Sequence, residues 1–264
     1  MDKENQKTAI VTGAYGAIGF AIARKLAFLD FEVFLLGRNE RRLEEAVATI
    51  QALKPDARVW YELVDLSSLS SIKDLYKRWE GPLSVLINNA ATTPRERRAT
   101  TDGLELQFAT NILGYFRMMH YFSEFMIGIK DARIVNVASS WAGDLDMSDL
   151  QFEHRPYHND LAYRQSKQAN RMLTVAFAER LDNFGIVVNA CHPGEVNSKL
   201  SNNLGFGGHE SPETGAVTPV WLATDPVGIN YTGKYFEDKR IVECSFGKNK
   251  VAIDELYRYC RQFT

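Results

Sequence analysis

The chain is 264 residues long, 45% hydrophobic and 24% charged, which allows a sizeable buried core in one α/β unit. Its formal net charge of -2 leaves no basic footprint for nucleic acid or for an acidic membrane surface. The three cysteines, Cys191, Cys244 and Cys260, form no CxxC pair. That argues against a disulfide framework or a zinc site and suits a reducing, cytoplasmic compartment, with each thiol serving as a small apolar residue.

Residues 1–7 are polar and charged, and the first apolar run, 8–12, is too short for a signal or membrane helix. Short runs rich in β-branched residues recur at 8–12, 32–36, 59–64, 84–87, 133–137 and 187–190. Amphipathic helical stretches fall at about 18–28, 40–53, 70–79, 104–127, 162–183 and 212–223. Ahead of the fourth helix, Asp102 is the expected cap, with Glu105 completing a capping-box-like pair. The longest apolar stretch, 116–129, is broken by Arg117, His120 and Glu124, so the chain reads as soluble with no membrane span. Strand–helix alternation of this kind predicts βαβ units: a doubly wound parallel sheet with helices on both faces. Neither a repeat nor a composition shift marks a second domain, so 1–264 reads as a single domain.

The first strand runs into Gly13-Ala14-Tyr15-Gly16-Ala17-Ile18-Gly19 and then a helix. Glycines at such a turn let the backbone approach a pyrophosphate, held by the free N–H groups of the helix N-terminus. Gly13, Tyr15, Gly16, Ala17, Ile18 and Gly19 are therefore candidate dinucleotide contacts, although an ordinary tight turn would also use glycine. The second strand ends Leu36-Gly37-Arg38-Asn39 without the acid that would bind an adenosine ribose. The Arg38 guanidinium suits a 2′-phosphate, so NADP(H) is expected in preference to NAD(H), with Asn39 alongside; Glu40 nearby argues mildly the other way.

Tyr163 and Lys167 stand four residues apart in a strongly helical stretch and so share a helix face. One charge at about 4 Å and an effective dielectric of about 20 is worth ~4 kcal/mol, roughly three pKa units, toward the phenolate. Ser139 and Ser140 follow the strand 133–137, at the carboxyl end where parallel sheets bind ligands, and a hydroxyl there could polarise a carbonyl.

In order, TGxxGAIG, DLSS, NNAA, NILGYF, SSWAG, YRQSK and HPGEV resemble the short-chain dehydrogenase/reductase family over essentially the whole chain. Residues 102–116, 149–170 and 232–236 resemble its retinol-dehydrogenase-like branch, which includes the oxidoreductase part of the WW-domain-containing oxidoreductase. The resemblance implies a Rossmann-type α/β fold of about seven parallel strands. It implies Tyr163 as acid–base, Lys167 binding the nicotinamide ribose and lowering the tyrosine pKa, and Ser140 orienting the substrate oxygen. Ser140 is preferred to Ser139 because the family serine stands three residues before the glycine, here Gly143. Asn111 would hold a helix irregularity and a water in a proton relay through Lys167. Asp65 and Leu66 would flank the adenine, Asn89 and Ala90 would line the cofactor floor, and Pro193, Gly194, Val196 and Ser198 would contact the carboxamide. The departures, Ala17 for the usual middle glycine and Ala91 ending NNAA, remove no chemical group; the Gly16 spacing also fits epimerase-type relatives, which carry a further substrate domain.

His154, His158, His192 and His209 lack metal-ligand spacing and read as surface or loop positions, with no metal site. Tyr115, Phe116, Tyr121, Phe122 and Phe125 read as core, on a face that could also serve a homodimer or homotetramer. Segments 144–160 and 196–212 are the expected substrate loops, the latter a flexible lid candidate. The expected activity is hydride transfer between NADP(H) and a hydrophobic carbonyl or alcohol. Two alternatives are a catalytically weak NADP(H)-binding regulatory or interaction protein and an epimerase or dehydratase using transient oxidation.

Overall fold

The computed structural model describes residues 7–264; the polar stretch 1–6 lies outside the described residues. All six β-branched runs are strands: β1 (Thr8–Thr12), β2 (Glu32–Gly37), β3 (Val59–Leu63), β4 (Val85–Asn88), β5 (Arg133–Val137) and β6 (Val187–Cys191). β1, β4 and β5 are buried at every position, as strands covered on both faces must be. Two further short strands, β7 (Tyr235–Glu237) and β8 (Arg240–Val242), complete a sheet of order β3-β2-β1-β4-β5-β6-β7-β8. The first seven are parallel and β8 is antiparallel. The count thus exceeds the expected seven by one edge strand. β8 is made by a two-residue turn, Asp238-Lys239, with φ of 46° and 62°, whose twist matches that of the strands it joins. A half-polar edge strand of three residues has no apolar run to announce it.

The helices are α1 (Ala17–Phe28), α2 (Glu40–Leu53), α3 (Leu69–Arg78), α4 (Gly114–Phe122), α5 (Asn159–Leu181), α6 (Lys199–Asn203), α7 (Pro212–Gly215), α8 (Val217–Thr224) and α9 (Lys250–Arg261). One face of the sheet is covered by α1, α2 and α8, with Ile22, Leu26, Leu43, Ile50 and Val220 in one cluster with Val11 and Leu35. The other is covered by α3, α4, α5 and α9. There Phe116 lies 5.1 Å from both the Phe177 and Tyr257 rings, and Tyr115, Phe116 and Phe122 are fully buried. Those three aromatics are interior and are not part of a subunit face. No strand pattern foreshadowed α9, yet its buried Ile253, Leu256, Tyr257 and Cys260 recur at helical spacing on one face.

The expected helix 104–127 is three pieces. Glu105, fully buried, accepts from the backbone N–H of Gln107 at 2.8 Å and Phe108 at 2.6 Å. Glu105 and not Asp102 therefore caps the helix start, because the turn closed by the Thr100 N–H to Leu104 carbonyl bond (2.8 Å) holds Asp102 away. Asp102 instead receives the Leu69 N–H at 3.4 Å. A π-helical turn, Phe108–Leu113, precedes α4, and a 3₁₀ turn, Ser123–Met126, follows it. The expected helix 212–223 is interrupted at Ala216 into α7 and α8, and α6 lies where a loop was expected. Among the described residues no helix is long and apolar enough to cross a membrane.

Candidate active site

Strand order reverses between β1 and β4, which opens a crevice at the carboxyl ends of those strands. Thr12 builds its floor: the buried Oγ1 accepts from the N–H of Asn89 at 2.9 Å and of Ala90 at 3.0 Å. Asn89 Nδ2 in turn donates to the Thr12 carbonyl at 2.9 Å. The turn after β1 is thereby stapled to the turn after β4. Gly13 has φ of 65°, and a Cβ there would lie 2.8 Å from Ala90 Cα. At Gly19 a Cβ would lie 2.4 Å from the Gly13 carbonyl oxygen. Gly16 is the N-cap residue of α1 and offers no side chain, so the N–H groups of Ala17, Ile18 and Gly19 have no capping group. A tight glycine cradle ending on an uncapped helix N-terminus fits a pyrophosphate on the physics of the turn alone.

At the end of β2, Arg38 is exposed and makes no hydrogen bond or ion pair among the described residues. Asn39 caps α2, its side-chain Oδ1 accepting from the Arg42 N–H at 3.0 Å. Arg42, which the sequence reading did not single out, stacks over the Tyr15 ring at 4.5 Å and donates to the Tyr15 carbonyl at 3.1 Å. That ring lies over Gly37, where a Cβ would come within 2.3 Å of it. An acidic side chain at position 37 would have to displace Tyr15. Asp65 turns its carboxylate onto Ser67, accepting from its N–H at 2.9 Å and its hydroxyl at 2.7 Å, while Leu66 is buried beside it.

Tyr163 and Lys167 lie in the first turns of α5, both buried. Lys167 donates to the Val137 carbonyl at 2.9 Å, and its Nζ lies 5.5 Å from the Tyr163 ring centre. Burial pushes the Tyr163 hydroxyl up to about 12, against a hydrogen bond with the Ser139 hydroxyl that pulls it down. Burial also pulls Lys167 down to about 7. In this arrangement the Lys167 ammonium group is turned to a main-chain carbonyl at the end of β5. Asn111 sits in the π-helical turn, where the helix irregularity was expected. Its Oδ1 accepts from the Thr92 N–H at 2.8 Å, and its Nδ2 donates to the Thr92 carbonyl at 3.0 Å and Gln107 Oε1 at 3.2 Å.

The two serines divide. Ser139 is buried and bonds toward Tyr163, whereas Ser140 is exposed and its Oγ lies 3.3 Å from His192 Nε2. Both serines line the same cavity. His192 itself, read from the sequence as a bland surface or loop histidine, lines the cleft. The signal that could have found it is its place directly after β6, at the carboxyl end of a parallel strand. Tyr163, Ser139, Ser140 and His192 face a cavity of about 450 Å³ whose apolar wall includes Trp141, Val196, Leu200 and Phe206. Trp141 packs edge-on to Phe206 at 5.5 Å and lies 6.2 Å from the Tyr163 ring.

Pro193, Gly194, Val196 and Ser198 all line this cavity. Ser198 also caps α6 in a reciprocal pair with Ser201. The segment behind them is closed on itself: the His209 and Glu210 N–H groups donate to the Glu195 carbonyl at 2.8 and 3.0 Å, and Ser201 Oγ donates to the Gly207 carbonyl at 2.8 Å. The other expected substrate loop, 144–160, contributes no residue to the cavity wall. It is tied down elsewhere: the Asp149 carboxylate accepts from the N–H groups of Glu153, His154 and Arg155, and Gln165 Nε2 donates to the Leu150 carbonyl at 2.8 Å.

A sequence profile of the short chain dehydrogenase family matches residues 7–206. Retinol dehydrogenase 13 of Mus musculus is 33% identical over 254 residues, covering 89% of this chain and 76% of its own length. Retinol dehydrogenase 12 of Mus musculus is also 33% identical, over 266 residues, with 95% and 84% covered. An uncharacterized protein from Mycobacterium paratuberculosis superposes with a TM-score of 0.82 at 27% identity, covering 97% of this chain and 92% of that one. A short chain dehydrogenase from Burkholderia cenocepacia, crystallised with NADP, shares the fold with a TM-score of 0.70 at 22% identity. The chain belongs to the short-chain dehydrogenase/reductase family of oxidoreductases, in its retinol-dehydrogenase-like branch.

Proposed function

We propose that the protein is an NADP(H)-dependent oxidoreductase that interconverts an apolar carbonyl compound and its alcohol. The observation that carries this reading is the placement of Tyr163 and a serine hydroxyl together in a largely apolar cavity beside the glycine cradle. The nicotinamide would supply or accept the hydride. Of this chain's own residues, the uncapped first turn of α1 would bind the pyrophosphate and Arg38 the 2′-phosphate. Tyr163 would hold or release the proton of the substrate oxygen, and Ser140 would donate a hydrogen bond to that oxygen. Lys167 would bind the nicotinamide ribose. Asn111, clamped to the Thr92 backbone, would keep the π-helical turn in shape behind it.

Two features support NADP(H) over NAD(H). Arg38 is exposed with no partner among the described residues, and Tyr15 occupies the space that a carboxylate at position 37 would need. The apolar wall formed by Trp141, Leu200 and Phe206 supports a substrate with a flat or bulky hydrophobic body. Segment 196–212 supplies that wall and would serve as the substrate loop. The test is a panel of aliphatic and aromatic aldehydes, ketones and secondary alcohols, followed at the reduced-nicotinamide absorbance with each cofactor. Turnover with NADP(H) on at least one apolar member is expected. Tight NADP(H) binding with no turnover on any member would favour a cofactor-binding regulatory protein instead.

A further inference from the structure

His192 directly follows β6, and its N–H donates to the Phe236 carbonyl at 2.9 Å, so pairing with β7 fixes where the ring emerges. The ring enters the cleft, where Nε2 lies 3.3 Å from Ser140 Oγ. Its other nitrogen, Nδ1, is buried and has no hydrogen-bond partner among the described residues. A buried N–H without an acceptor is costlier and rarer than an acceptor without a donor, so the proton belongs on Nε2. In that tautomer the imidazole donates to Ser140 Oγ, which leaves the serine's own proton free to point elsewhere. Burial holds the ring below the ordinary histidine pKa, with Glu237 on β7 and Glu210 and Glu195 beyond β6 pulling upward and Arg171 on α5 pushing down.

We infer that His192 is a positioning residue for the reaction: by donating from Nε2 to Ser140 Oγ, it turns the Ser140 hydroxyl proton toward the substrate oxygen. The inference rests on the proposed oxidoreductase reading. It assigns the two adjacent serines different tasks. Ser139 lies beside Tyr163, and Ser140 is aimed by an imidazole that follows another strand. An acceptor hydroxyl whose lone pair is already occupied is also a better donor, since hydrogen bonds in a chain polarise one another.

Two amide substitutions separate the ring nitrogens. His192→Gln places an amide nitrogen near the Nε2 position and can still donate to Ser140; His192→Asn reaches only as far as Nδ1. With the aldehyde turned over fastest in the panel, His192→Asn is expected to lower kcat by tenfold or more, and His192→Gln by less than threefold. NADP(H) affinity should stay unchanged in both. In a Ser140→Ala background, His192→Asn should cost nothing further. Equal losses in the two amide variants, or an undiminished loss without Ser140, would overturn the inference. A second measurement needs no turnover: ¹⁵N spectra of histidine-labelled, cofactor-free protein should show His192 as the Nε2–H tautomer. Its Nε2 resonance should move when Ser140 is replaced by alanine. An Nδ1–H tautomer or an unmoved resonance would reject it. A Tyr163→Phe control distinguishes the two readings, because normal turnover there would defeat the oxidoreductase mechanism whatever His192 does.

Discussion

The two ends of the crevice are built from different materials. The turn after β1 is shaped by main chain and by the absence of side chains: Gly13 and Gly19 leave room where any Cβ would strike backbone, and Thr12 and Asn89 staple the turn from beneath. Thr12, Gly13 and Gly19 lie within eight residues of one another, and Asn89 joins them from the turn after β4. The cavity at the other end is shaped by side chains from the segment after β5, from α5 and from the segment after β6, brought together across 69 residues from Ala138 to Phe206 and joined there by Ile18. A backbone-built site tolerates little change in shape and depends on the rest of the chain only through the one neighbouring turn that staples it. A side-chain-built site can change substrate by changing one wall.

The largest effect expected from breaking this division is at Tyr163. Tyr163→Phe keeps the ring against Trp141 but removes the hydroxyl, so turnover should fall ~10²–10⁴-fold while stability and NADP(H) affinity barely move. Steady-state kinetics beside a thermal melt would check it, and near-normal turnover would show that the side-chain end does not carry the chemistry.

Gly13→Val attacks the other end. A positive φ and a Cβ only 2.8 Å from Ala90 Cα should cost about 1–3 kcal/mol in urea unfolding and abolish cofactor-induced stabilisation. Unchanged stability would mean that the cradle is looser than its contacts imply.

Arg38→Asp sharpens the comparison within the cofactor end. It replaces an exposed guanidinium with a carboxylate and should reverse the ratio of NADP(H) to NAD(H) affinities, at about 1.5–3 kcal/mol for a charge-assisted contact. Calorimetric titration with both cofactors reads it; an unaltered ratio would remove Arg38 from the site.

The smallest effect is a pH slope. Lys167 is held at about 7 in the folded chain against an ordinary 10.5, so the unfolded chain carries the extra proton between those values. Stability of the cofactor-free protein should therefore climb with pH through that window, by at most about 1.4 kcal/mol per unit. Tyr163, raised to about 12, works the other way above pH 10, where only the unfolded chain has lost its proton. Lys167→Met should flatten the rise between pH 7 and 9 in urea melts. A wild-type curve already flat there would place the ammonium in a better solvated setting.

Legibility in the sequence followed the same division. Local patterns predicted every strand of four or more residues and missed the three-residue β7 and β8, which a turn and a neighbouring edge create. The cap at Asp102 failed because a Thr100–Leu104 turn, a competing local structure, claimed that stretch and handed the helix start to Glu105. Counting from Gly143 pointed to Ser140 but could not show that its neighbour across the cleft is His192, since that contact depends on where β5 and β6 end side by side. His192 is the loop position that was expected, and its place directly after β6 is what also carries its ring into the cleft.

What the sequence determined by itself is therefore what depends on period and on the absence of a side chain. Alternation produced the sheet, i,i+4 spacing put Tyr163 and Lys167 on one helix face, and glycine spacing marked the turn that follows β1. Only the tertiary structure decided which groups meet across distance: Ser140 with His192, Lys167 with the Val137 carbonyl, Tyr15 with Arg42, and Phe206 with Trp141. These pairings depend on strand order and on how far each loop folds back. Both are set by packing of the whole chain and by no segment of it alone.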